Sequence, residues 1–257
     1  MSKETVPVKP SPSLIAAYTG VMAAVYYAFL WLPGIPVVGL PQIKIDLGAS
    51  FAPILGVILG PYLGFLAALV SDIIKVVTPP NIYALPFILC PPVSAFSASF
   101  IVRGRMKESF ILLAAILIAA MFTPVFFPIT AHGIVYFMAY FDKMAALALI
   151  PVAVYLARMG KASFHIALFL AMFIGNQTDS ALGCTIFALP QVYQGIYGIP
   201  NVEVARGLFM ASPFVYPAIR LIQAFIGYII ALPLIRVLLR ITSLSEFLYI
   251  KSLKGKI

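Results

Sequence analysis

Residues 47–77 read LGASFAPILGVILGPYLGFLAALVSDIIKVV, an apolar run whose charged positions are Asp72 and Lys75. As one α-helix the run would be about 46 Å long at ~1.5 Å per residue. The hydrocarbon core of a bilayer is only ~30 Å thick. Gly60-Pro61 sits near its centre, and proline suits the first turn of a helix, where its missing N–H is no loss, rather than the interior. The run therefore reads as a short helix over about 47–59 and a second over about 61–77.

Further apolar runs cover roughly 14–31, 84–102, 109–128, 137–157, 163–189 and 213–239. With the split, the chain has eight helical segments. A Pro/Gly-rich stretch, Trp31-Leu32-Pro33-Gly34-Ile35-Pro36, follows the first. Of the 257 residues 63% are hydrophobic and 10% charged, with mean hydropathy +1.07. A soluble domain carries roughly 25% charged residues, so this chain cannot coat itself for water, and lipid is its solvent. The expected fold class is all-α, a polytopic membrane helix bundle of eight transmembrane segments. It forms one transmembrane domain over 1–257, with 1–13 as a cytoplasmic N-terminal segment and 241–257 as a cytoplasmic basic tail. The first apolar run follows Met1-Ser2-Lys3-Glu4 without a suitably placed small-residue cleavage site and is expected to be a retained helix.

The net charge of +9 would suggest nucleic acid in a soluble protein. Here the basic residues lie between apolar runs without interleaved aromatics, so they orient the chain instead and no nucleic-acid partner is expected. With eight spans and the N-terminus inside, Lys3, Lys9, Arg103, Arg105, Lys107, Arg158, Lys161, Arg236, Arg240, Lys251, Lys254 and Lys256 are cytoplasmic, against Lys44, Lys75, Lys143 and Arg206 outside. A seven-span arrangement gives eleven against five, so the Gly60-Pro61 break, not the charge, carries the count. The expected location is the cell membrane, multi-pass, with both termini cytoplasmic.

Small residues recur every four positions at Ala16, Gly20, Ala24 and Ala28, and again at Gly48, Ala52, Gly56 and Gly60, continuing to Gly64 and Ala68. Such stripes admit close helix approach in lipid, either within the chain or against another membrane protein.

Enzyme signatures are scarce. There is no P-loop, and His132 and His165 stand apart without metal-ligand spacing, so no metal or cofactor is expected. Cys90 and Cys184 fall inside apolar runs and read as small core residues. The polar run Asn176-Gln177-Thr178-Asp179-Ser180 interrupts an apolar helix. Asp179 is the only acidic residue that this reading puts deep inside a span, where a charge costs about 2.5–3.5 kcal/mol on insertion scales. Arg220 and Gln223 lie in the outer half of the last span. Two readings stay open: an internal Asp179–Arg220 ion pair, or a polar pocket that grips a ligand. The outer loop with Gln191 and Tyr193, together with Trp31 on the same side, reads as an interfacial aromatic belt or as a lid over that pocket. His132 could line that side too. Asp142-Lys143 reads as a solvated helix end.

One resemblance bears on function. Pro41-Gln42-Ile43-Lys44-Ile45-Asp46-Leu47-Gly48-Ala49, then Leu55-Gly56, Leu59-Gly60-Pro61-Tyr62-Leu63-Gly64 and Ser71-Asp72, resembles the substrate-binding S component of energy-coupling-factor (ECF) transporters. The resemblance covers about a quarter of the chain. It implies a vitamin-like small-molecule substrate, no enzymatic activity, and energy from a transmembrane coupling subunit with a pair of ATPases, which fits the absent P-loop. It also implies that Ala16, Gly20 and Ala24 form the face that docks on the coupling subunit. The family usually has six spans, so eight implies an extra hairpin over about 109–157. The implied outward cavity of the later helices and outer loops agrees with the candidates Asn176, Gln177, Asp179 and Arg220. Two other classes compete: a stand-alone secondary transporter with Asp179 as coupling carboxylate, and a membrane-embedded enzyme, against which stands the missing acid–base or metal set.

Overall fold

The computed structural model describes residues 11–211, 213–240 and 253, without the side chains of 42 and 43. Residues 1–10 of the 1–13 segment, and all of the 241–257 tail except 253, lie outside them. Each of the eight apolar segments contains a helix. In chain order the helices are α1 (Pro12–Phe29), α2 (Ala52–Leu59, entered through a 3-10 turn Leu47–Phe51), α3 (Pro61–Val77), α4 (Cys90–Val102), α5 (Met106–Met121), α6 (Ile129–Met159), α7 (Lys161–Phe187), two short helices α8 (Pro190–Tyr193) and α9 (Val202–Ala211), and α10 (Val215–Arg240). The helices α1 and α6, the segment Leu85–Val102 that ends in α4, and α10 are long and apolar enough to cross a membrane.

The break between α2 and α3 falls where the sequence puts it. Gly60 has φ +89° and ψ 176°, a backbone state open to glycine and costly for other residues. Pro61 has no N–H to give back to the Val57 carbonyl, and the Arg103 guanidinium supplies the missing donor: Nη2 donates to the Val57 carbonyl at 3.1 Å and Nη1 to that of Gly56 at 3.2 Å. Arg103, expected in a cytoplasmic loop as an orienting charge, therefore also caps α2 from the end of α4.

Every residue of α2 is buried. Gly56 lies against the backbone of Ala95 on α4, and Gly64 of α3 against Gly56 itself. α7 forms the axis of the bundle and packs on α4, α6, α10 and α5. Hydroxyls tie three of these together: Thr178 donates to Ser97 Oγ at 3.2 Å, and Ser97 and Ser109 share a bond of 3.1 Å. α1 is peripheral, with only Ala23 and Tyr26 buried. It is held to α3 by Ser71 Oγ donating to the Ala23 carbonyl at 2.8 Å.

Two findings depart from the expectation. The Pro/Gly-rich stretch after Trp31 leads into an antiparallel hairpin, β1 (Gly34–Val37) and β2 (Leu40–Asp46), with Pro36 opposite Lys44. A two-stranded hairpin has edges on both sides, where proline is tolerated. The second departure is Asp142-Lys143, which is no solvated helix end. α6 begins at Ile129 and bends at His132 (φ −118°, ψ 18°), so both residues fall in its interior. They are 5% and 3% exposed, with Lys143 Nζ 2.9 Å from Asp142 Oδ1.

Candidate substrate-binding site

The C-terminal ends of α1, α3 and α7 and the N-terminal ends of α4 and α10 meet at one end of the bundle. A cavity of about 780 Å³ opens there, and the hairpin forms one wall. The hairpin is fastened at both ends. At its tip the Val38 N–H donates to Tyr216 Oη of α10 at 3.2 Å, and at its base Gln223 Nε2 donates to the Asp46 carbonyl at 2.8 Å. Trp31, Tyr83, Phe87, Phe187, Phe209 and Tyr216 supply aromatic wall.

Asp179 of α7 and Arg220 of α10 both line this cavity and meet each other, with Arg220 Nη2 3.4 Å from Asp179 Oδ1. Arg220 Nη1 also donates to Gln223 Oε1 at 2.9 Å. Gln223 thus holds the guanidinium on one side and the hairpin base on the other, tying α7, α10 and β2 into one polar chain. Burial pushes the Asp46 carboxyl above the ordinary carboxylate range, against the pull of Lys75.

The other candidates are dispersed. Trp31 lines the cavity with the Lys75 ammonium 4.5 Å over its ring. Asn176 is fully buried off the cavity, and its amide donates to the Met172 carbonyl at 3.0 Å. Gln177 is fully buried too, with neither amide atom paired among the described residues. Gln191 is exposed, and Tyr193 is buried in the core. Neither they nor His132 is among the lining residues. Asn176 and Gln177 follow from helix geometry: neighbouring positions point ~100° apart, so a continuous polar run cannot face one cavity.

The cavity also takes in residues that the sequence reading passed over. Asp72 is 7% exposed and lines it, so Asp179 is not the only carboxylate deep in the bundle. Lys44, Asp46, Lys75 and Lys143 line it as well, as do the free thiols Cys90 and Cys184. A signal existed for α3: Asp72 and Lys75 are three apart in an otherwise uncharged helix and so share a face. For Lys143 there was none, because its burial depends on where α6 begins.

The family model for the ECF-type riboflavin transporter, S component, matches residues 14–172, well over half of the chain. The chain belongs to this family. No curated protein and no solved structure gives a significant match. As an S component it is a substrate-binding membrane subunit of vitamin uptake. The match runs through 109–157, so all of α5 and α6 lies within the matched part. It also includes the hairpin, Asp72 and Lys75. It stops at Met172, before the Asp179–Arg220 pair.

Proposed function

We propose that this S component binds riboflavin or a close relative in the cavity beneath the hairpin, taking it from outside the cell membrane. Both termini face the cytoplasm, and the chain acts as a binding subunit without enzymatic activity. A separate transmembrane coupling subunit docks on Ala16, Gly20 and Ala24, and a pair of ATPases supplies the work. The observation that carries the reading is the cavity itself. Its volume falls within the range of small-molecule sites, and it combines aromatic walls with a few fixed polar groups, as such sites do. A planar ring system would be held by the walls and its polar edge by the floor. The exposed small-residue face of α1 supports the docking half.

The direct test is titration of the purified protein with riboflavin, following the quenching of flavin fluorescence. Saturable one-to-one binding is expected, and absence of binding sinks the riboflavin reading. ATPases are expected to co-purify from native membranes. A lone protein that drives riboflavin counterflow in liposomes would instead establish the stand-alone transporter.

A further inference from the structure

Lys75 sits in the last turn of α3, half-buried, and lines the cavity. A lysine there has two ordinary uses. It can neutralise the C-terminal carbonyls of its own helix, or it can pair with a carboxylate. Asp72 is one turn back on the same helix, and Asp46 at the hairpin base feels the ammonium's pull. Yet Lys75 forms no ion pair among the described residues. Its ammonium crosses to α1, donates to the Leu30 carbonyl and lies 4.5 Å over the Trp31 ring. Leu30 is the C-cap of α1, and the last turn of that helix has no basic residue of its own. Carbonyls at a helix end lack partners within the helix, so α3 supplies the cation that α1 does not carry.

Trp31 is 54% exposed, so packing alone does not hold its ring. The Lys75 ammonium meets its face, and the Tyr27 ring meets it at 6.1 Å and nearly perpendicular. Trp31 also stands where the chain leaves α1, three residues before the hairpin begins at Gly34. An interfacial tryptophan beside a snorkelling lysine would turn ring and ammonium to the headgroups. These two residues line the same cavity instead. We propose that Lys75 is a positioning residue for the substrate: it holds the Trp31 ring in place as a wall of the cavity, and substrate affinity depends on Lys75 through Trp31. The proposal rests on the reading that this cavity holds a flavin. A flat ring system gains from an aromatic wall that is already ordered, because less side-chain freedom is lost when it binds.

The test uses the full purified chain with riboflavin as probe. Lys75→Met keeps the stem and removes the charge, and it is expected to weaken riboflavin binding about tenfold. Lys75→Arg is expected to restore most of that loss, since a guanidinium both donates to a carbonyl and stacks on an indole. Trp31→Ala is expected to weaken binding at least as much as Lys75→Met. In the Trp31→Ala background, Lys75→Met is expected to cost less than about twofold more, because its effect passes through the ring already removed. Trp31 is the one tryptophan of the chain, so its emission reports on itself. Its anisotropy without ligand is expected to fall in Lys75→Met and to return in Lys75→Arg, a change that a loss of stability elsewhere in the fold does not produce. Riboflavin binding that is unchanged in Trp31→Ala overturns the proposal, and no Lys75 variant need fold to show it. Effects of Trp31→Ala and Lys75→Met that add in full overturn it too, because Lys75 would then act on the flavin or the fold directly. Unchanged anisotropy in Lys75→Met does the same. Failure of the unaltered chain to bind riboflavin removes the flavin reading and this proposal with it, whereas riboflavin binding indifferent to Lys75 removes this proposal alone.

Discussion

Two stripes of small residues with the same four-residue spacing meet opposite fates in this molecule. Along the 3-10 turn, α2 and α3, a Cβ added at Gly48 would lie 2.1 Å from the Phe29 carbonyl oxygen, and one at Gly56 would lie 1.8 Å from that of Ala95. A Cβ at Gly64 would lie 2.7 Å from the Gly56 Cα. That stripe is already occupied by the protein's own backbone. On α1, Ala16, Gly20, Ala24 and Ala28 are all exposed, and a Cβ at Gly20 would meet nothing within 4 Å. Small residues make close helix approach available, but the pattern does not name the approaching helix. In one stripe it is α4, the end of α1 or, where α2 and α3 meet at Gly56 and Gly64, the neighbouring half of the same stripe; in the other the chain leaves the place open, which accords with a coupling subunit as occupant.

Substitutions in the two regions should therefore separate sharply. The largest effect is expected for Gly56→Leu. Overpacking a core costs about 1–3 kcal/mol where side chains can move, but here the obstacle is the Ala95 backbone, which cannot. The variant should lose its monodisperse peak in detergent and all riboflavin binding; a folded, binding-competent Gly56→Leu would break the comparison. Next comes Arg103→Met, which strips the donors from the end of the same buried stripe. Loss of these charge-assisted bonds should cost about 3 kcal/mol, read as a lower melting temperature in detergent with riboflavin affinity kept wherever the protein remains folded.

Asp179→Asn asks whether structural and functional roles can be separated where they share a side chain. Because Arg220 keeps its bond to Gln223, the expected loss of stability is about 1–2 kcal/mol, with riboflavin affinity falling about tenfold. A large drop in melting temperature with unchanged affinity would make the pair purely structural. The smallest effect on the isolated protein is expected for Gly20→Leu. Stability should stay within about 0.5 kcal/mol, as for exposed positions generally, and riboflavin binding should be unchanged, while uptake in cells is lost. Loss of binding in the isolated variant would show that the α1 stripe serves this chain's own packing.

The candidate site was legible unevenly, for a physical reason. Asp179 and Arg220 stood out because each is a charge in an apolar span, and such charges need a partner or a cavity; they meet at 3.4 Å. Asp72 stood beside Lys75 in a segment read for its glycines and its break, and its place on the cavity wall depends on how α1, α3 and α4 converge. The hairpin was hidden by Pro33, Gly34 and Pro36, residues that read as irregular loop. Its pairing needs only backbone bonds between edge strands, which those residues tolerate.

The amino-acid sequence by itself determined the solvent and the segmentation. An apolar chain with so few charges has to live in lipid, lipid leaves helices as the economical way to satisfy the backbone, and Gly60-Pro61 has to end one helix and begin another because proline has no N–H to continue the ladder. The family was legible too, since its motif is local to that break. Only the tertiary structure decided which stripe is buried, that Arg103 caps α2, that Lys143 lies inside the bundle, and that Asn176 and Gln177 sit off the cavity that Asp72 lines. Each of these is a question of which helix faces which. Helical periodicity says which residues share a face, but the partner of that face is set by the packing of segments far apart in the chain.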